Sequence, residues 1–293
     1  MSPMLAVLAG ARLVCYAWRV WALTWAVTAA FAAIVVVPVA AVLRADLGHS
    51  LYAARMLGNF DVAWLAELQL ETAGMPAVVL EPLLAAVCLA FLLVMTFLNG
   101  GALAVLAGTT TFWSGCGRNF ARLARLLVYA VAGYALVLGV HSALGRIIGK
   151  LWHHSMEERP VALAGWGRAA IVVLLALLVN MIFDYAKIHA VAGDTRAAWR
   201  NVLGALQFVR RNFAPAAAAY AVISLAALVL AGLWWLISGV LPRTAVGWLV
   251  LVLMLQQAFV AARVWVRLWY LASQTEFFRA RFPDPTHCGT VGA

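Results

Sequence analysis

The chain reads as an all-α, polytopic membrane bundle with six spans. Two observations predict this. Of 293 residues, 66% are hydrophobic and only 11% are charged, against about 25% charged in an ordinary soluble domain. So little charge cannot cover a water-facing surface. The apolar residues also come in continuous runs, each near the ~20 residues that a helix needs to cross a bilayer. Barrel strands would alternate instead.

The formal net charge of +10 fits the positive-inside rule and anionic headgroups. No basic and aromatic module stands apart from the spans, so nucleic acid is not an expected partner. Cys15, Cys88, Cys116 and Cys288 show no CxxC or Cys/His ligand spacing. No structural disulfide, metal or cofactor is expected. The N-terminus lacks a basic segment ahead of its apolar part, and Arg12 interrupts it. The first span is therefore read as an uncleaved insertion signal.

Taken in order, residues 4–17 are short and mixed; they either lie along the interface or extend the first span. Span one covers 20–43, with Trp18, Trp21 and Trp25 as interfacial anchors and Pro38 late in the helix. In the acidic stretch that follows, Asp61 caps an outer helix over 61–73, and Gly74 stops it. Span two covers 77–98, with Glu81-Pro82 in its first turn. Asn99-Gly100-Gly101 is expected to break that helix, leaving 102–107 as a re-entrant turn or an interfacial helix. Thr109 to Gly117 is a small-residue link.

Arg118, Arg122 and Arg125 then fall on one helical face and mark the inner end of span three, 123–144. Span four covers 164–183. After it comes a basic amphipathic helix over 195–211. Trp199, Val202, Leu203, Leu206 and Val209 are expected on one face, with Arg196, Arg200, Asn201, Gln207 and Arg211 mostly opposite. Such a helix lies in the headgroup plane. Spans five and six cover 214–241 and 245–271, joined by Pro242-Arg243-Thr244.

With both termini inside, 14 of the 21 Lys and Arg lie on the inner side, but only 4 of the 11 acids. This asymmetry predicts an N-in, C-in protein of a bacterial inner membrane. Its expected partners are anionic lipids, which would meet Arg118, Arg122, Arg125, Arg196, Arg200, Arg210 and Arg211. A membrane-protein partner or a second copy of the chain is the other expected contact.

Three places could carry chemistry. Asn180, Asp184 and Lys187 share one face of span four, while Gln256, Arg263 and Arg267 share one face of span six. Charges inside a membrane helix usually turn inward and pair. That suggests a polar intramembrane layer of Asn180, Asp184, Gln256, Arg263 and Arg267, with Asp184 facing Arg263 or Arg267. The alternatives are that both arginines snorkel to the headgroups, or that the layer is a transport site. His49, His141, His153, His154, Glu157 and Glu158 gather on the outer side without zinc-site spacing, which reads best as a solvated polar loop. Glu81 reads as a helix-start and interface residue rather than a proton relay. Ser114-Gly115-Cys116-Gly117 is not a nucleophile elbow, and no catalytic residue is assigned.

Four segments carry a family resemblance: FLNGGALAVL (Phe97–Leu106), NFARLARLL (Asn119–Leu127), DYAKIHAV (Asp184–Val191) and ALQFVRRN (Ala205–Asn212). Together they resemble a pattern in six-span bacterial inner-membrane proteins without an assigned activity. Those proteins are loosely similar to the membrane domain attached to some glycerophosphodiesterases. The resemblance implies an integral membrane protein with cytoplasmic links after spans two and four. It implies no phosphodiesterase activity, because the chain has no room for that domain. The expected function is a non-enzymatic scaffold or accessory subunit of a membrane assembly; the alternative is a small transporter or lipid-handling permease.

Overall fold

A computed structural model describes residues 2–47, 76–152, 158–193, 197–241 and 246–281. Among these the chain is almost wholly helical, with no strand. The helices are α1 (Pro3–Tyr16), α2 (Trp18–Leu47), α3 (Pro76–Leu106), α4 (Phe112–Leu151), α5 (Glu158–Ala192), α6 (Ala198–Arg211), α7 (Phe213–Val240) and α8 (Val246–Arg279). Helices α2, α3, α4, α5, α7 and α8 are long and apolar enough to cross a membrane. The protein is therefore multi-pass. In hydrocarbon every backbone group must bond within its own segment, and continuous helices meet that demand. The outer helix expected over 61–73 lies outside the described residues, as do His49, His153, His154, Glu157 and Arg196.

Several helices run past their expected ends. Asn99-Gly100-Gly101 does not break α3, which continues to Leu106. Residues 102–106 are thus the end of span two, not a re-entrant turn. Glycine costs a helix only about 1 kcal/mol relative to alanine, and here its lack of a side chain has a use. A Cβ at Gly101 would collide with the Cys116 sulfur and come within 2.7 Å of the Phe112 carbonyl oxygen. A Cβ at Gly115 would collide with Ala104. The small residues let α3 and α4 meet nearly backbone to backbone.

The actual stop is Gly108, at φ 59°. Gly108 N–H bonds the Val105 carbonyl at 2.9 Å, and Thr109 N–H bonds the Ala104 carbonyl at 3.0 Å. That pair of bonds is a Schellman cap, which needs the left-handed conformation that glycine adopts freely. The expected link over 109–117 is correspondingly short, since α4 begins at Phe112.

The chain divides into two compact units. Unit 1 holds α1 to Leu13, the end of α3 from Asn99, all of α4, α5 and α6, the start of α7 to Ala221, and the end of α8 from Tyr270. Within it α4 packs along α5, and α6 packs on both. Unit 1 has a filled core: Leu103, Leu126, Tyr185, Ile188, Phe208, Phe277 and Phe278 are all buried. The short N-terminal stretch forms a helix of its own, Pro3–Tyr16, separated from α2 by a turn at Ala17. Ala6, Val7 and Gly10 give α1 its buried face. At Gly10 it lies so close to α8 that a Cβ would collide with Ser273.

Unit 2 holds α2, α3 to Leu98, α7 from Val222 and α8 to Trp269. Much of its apolar surface faces outward, including Val37, Leu89, Leu228, Trp235, Val240 and Met254. It is joined by ring contacts, Phe31 with Phe91 at 5.3 Å and Trp234 on Phe259 at 5.1 Å. The Trp21 indole N–H also donates to the Ala261 carbonyl at 2.8 Å.

Candidate functional site

The polar side chains that matter gather in unit 1. Asn119, Asp184, His189, Asn201, Ser273, Gln274 and Thr275 are all buried there. Asn119 donates its amide to the Gly100 carbonyl at 3.3 Å; the other six fall into three groups.

The first lies where α4, α5, α7 and α8 approach one another. Asn180 on α5 is its centre. The Asn180 amide donates to the Tyr220 hydroxyl, and the Tyr134 hydroxyl donates to Asn180 Oδ1 at 3.4 Å. The Tyr270 hydroxyl reaches the Tyr220 carbonyl at 3.4 Å, with the two rings 4.8 Å apart. Tyr134 sits beside Gly133, where a Cβ would come within 3.0 Å of Phe183. One turn along α5 from Asn180, Asp184 binds Lys187 at 2.8 Å, in the same helix. A buried carboxylate needs such a partner, because unpaired charge in an apolar interior is costly.

The second group joins α5 to α6. His189 Nδ1 lies 3.1 Å from Asn201 Oδ1, and both residues are buried. In its Nδ1–H tautomer the ring donates to the Asn201 carbonyl oxygen. Gly204 admits the imidazole: a Cβ there would come within 2.8 Å of Nε2. Phe278 closes one side of the ring at 6.0 Å, and Phe208 packs tilted against Tyr185 and Phe278 and edge-on to Phe277. Asn201 therefore points inward, not to the polar outer face expected for it. Val209 also turns into the core, while Trp199, Leu203 and Leu206 face outward. The periodicity of α6 was legible in the sequence, but its inward direction was not. The inward face carries Ala198, Asn201, Ala205, Phe208 and Val209.

The third group is Ser273-Gln274-Thr275 on α8. The Thr275 hydroxyl donates to the Leu271 carbonyl at 2.7 Å. Among the described residues neither the Gln274 amide nor the Ser273 hydroxyl has a hydrogen-bond partner. Gln274 lies one turn from Tyr270 and one turn from Phe278 on the same helix face. Tyr270 and Asn180 both contact Tyr220, and Phe278 contacts His189. By register, Gln274 sits at the depth of Asp184. The sequence signal for this triplet was present: four polar residues in a row, Ser273 to Glu276, between Ala272 and Phe277. The span expected over 245–271 ends just short of them.

The layer expected between spans four and six divides between the units. Asn180 and Asp184 belong to unit 1, and Gln256, Arg263 and Arg267 to unit 2. The Arg263 guanidinium lies over the Phe259 ring at 5.9 Å. Another intramembrane arginine was not singled out in the sequence. Arg168 on α5 bonds His141 on α4 through its Nε at 3.3 Å, and its guanidinium fills the notch at Gly145. Fifteen uncharged residues separate Arg168 from Asp184, and fifteen separate Arg125 from His141. At ~1.5 Å per residue each stretch covers about 24 Å, close to the bilayer core once the arginines snorkel. Among the described residues no group of His, Cys, Asp and Glu could hold a metal ion.

No protein-family model, curated protein or solved structure matches the chain.

Proposed function

We propose that the chain is a non-enzymatic scaffold or accessory subunit of a membrane assembly in a bacterial inner membrane. In this reading both termini face the cytoplasm, because the basic residues concentrate on that side. The observation that carries the proposal is the way unit 1 spends its polar groups. Asp184 is taken by Lys187, His189 by Asn201, and Asn180 by Tyr134 and Tyr220. Glycine notches and tilted, packed rings close the space around them. Such groups fix the geometry of a body and leave little to bind a substrate. A rigid body with an apolar exterior suits a part that positions other membrane proteins.

A transporter is the second reading, and Gln274 favours it. An amide without a hydrogen-bond partner among the described residues, buried at the depth of Asp184, is what a solute or a water file would use. The experiment that tests the scaffold is native mass spectrometry of the chain released from its own membrane at natural abundance. The expected spectrum holds the 31.5 kDa chain bound to another polypeptide or to its own copy. A solitary chain, which after reconstitution alone moves a solute across vesicles, would overturn the proposal.

A further inference from the structure

Helix α6 meets three environments at once. It has 14 residues, about 21 Å, too short to cross the ~30 Å hydrocarbon layer. Ala198, Asn201, Ala205, Phe208 and Val209 turn into unit 1. The rest of its circumference divides in two. Trp199, Leu203 and Leu206 recur at i, i+4 and i+7, with exposures of 52%, 46% and 46%. Beside them Arg200, Gln207 and Arg211 recur at i, i+7 and i+11 and are also exposed. Arg210 ends the apolar stripe. The Arg200 guanidinium lies over the Trp199 ring at 5.4 Å, on the seam between the two arcs.

A surface helix in water would not expose a tryptophan and two leucines in one stripe, and a helix sunk in lipid would not expose an arginine arc. The two together fit a helix at the bilayer boundary. We propose that α6 is a binding element for anionic phospholipid. Trp199, Leu203 and Leu206 insert among the acyl chains of one leaflet, and Arg200, Arg210 and Arg211 hold headgroup phosphates. Two observations favour lipid over a protein occupant. Every charged residue of α6, Arg200, Arg210 and Arg211, is a cation, matching anionic headgroups. It also leads through exposed Phe213 directly into α7, which is long and apolar enough to cross the membrane. Helix α1 also exposes apolar residues in unit 1, with Ala6, Val7 and Gly10 inward and Met4, Leu5 and Leu8 outward.

The test places the photo-crosslinking residue p-benzoylphenylalanine at Leu203, Leu206 or Gln207 of the full chain. Each variant is irradiated in native membranes and in nanodiscs of phosphatidylcholine and phosphatidylglycerol at about three to one. Phospholipid adducts are expected at 203 and 206 at several times the yield at 207. Phosphatidylglycerol is expected to be enriched at least about threefold over its share of the disc. The triple variant R200Q/R210Q/R211Q is expected to return that share to the bulk value. Adducts to a protein at 203 would overturn the proposal and assign the stripe to a partner. Equal lipid yield at 203 and 207, or an unchanged phosphatidylglycerol share in the triple variant, would also overturn it. The readout is independent of any co-purifying subunit, so it separates this proposal from the scaffold reading.

Discussion

The two units solve the same problem with different means. Unit 2 is held by rings and by hydroxyl-to-backbone bonds along its own helices, and it exposes much of its apolar surface. Its side chains need only be apolar, because lipid is an adequate neighbour for them. Unit 1 contains glycine notches, a half-buried ion pair and a histidine held by an asparagine. None of these is favoured by hydrocarbon alone; each depends on a specific partner. Substitutions should therefore be felt in unit 1 and tolerated in unit 2, and paired variants can break that contrast.

The largest effect is expected at Gly101. Gly101→Val drives a side chain into the Phe112 carbonyl and the Cys116 sulfur, and should cost about 3 kcal/mol. Gly232→Val in unit 2 meets nothing within 4 Å and should leave the thermal midpoint in detergent almost unchanged. Equal losses in the two variants would end the contrast. Next comes Lys187→Ala, which leaves Asp184 buried without its cation. The pair is partly open to solvent, with Lys187 at 28%, so the loss should be about 2 kcal/mol rather than the 3–5 of a fully buried pair. Arg263→Ala in unit 2 removes a contact over Phe259 and should cost less than about 1 kcal/mol. Asn201→Ala strands the His189 N–H, with an expected loss of about 1–2 kcal/mol by chemical denaturation. The smallest measurable change is expected from Trp21→Phe, which deletes one hydrogen bond in unit 2 and should cost about 1 kcal/mol or less.

The sequence was informative where chemistry is one-dimensional. The apolar runs located the six crossing helices, because length and composition determine what can span hydrocarbon. Pro38 inside α2 and Pro82 early in α3 raised no conflict. What stayed hidden depends on neighbours distant in the chain. Gly100-Gly101 looked like a stop, but Gly115, fourteen residues beyond Gly101, provides the close approach that keeps α3 going. Gly108 had the same composition and was the stop, and only its φ distinguishes it. For α6, periodicity located a stripe without saying which side the core takes. The decisive residue is Asn201, whose partner His189 comes from another helix. Asp184 was recognised as a charge in need of a partner; the structure supplies Lys187, one turn away.

The account rests on unit 1 being a closed body, and cysteine reactivity in native membranes tests that most directly. Native Cys116 is fully buried in unit 1, and Cys88 is exposed in unit 2. The measurement adds Gln274→Cys and follows labelling of each thiol, by peptide mass, with a small water-soluble maleimide. A closed body leaves positions 116 and 274 unlabelled until the protein is denatured. Labelling at 274 as fast as in the unfolded chain, with 116 still protected, would mean that water reaches the depth of Asp184. That result would contradict the filled core and favour the transport reading.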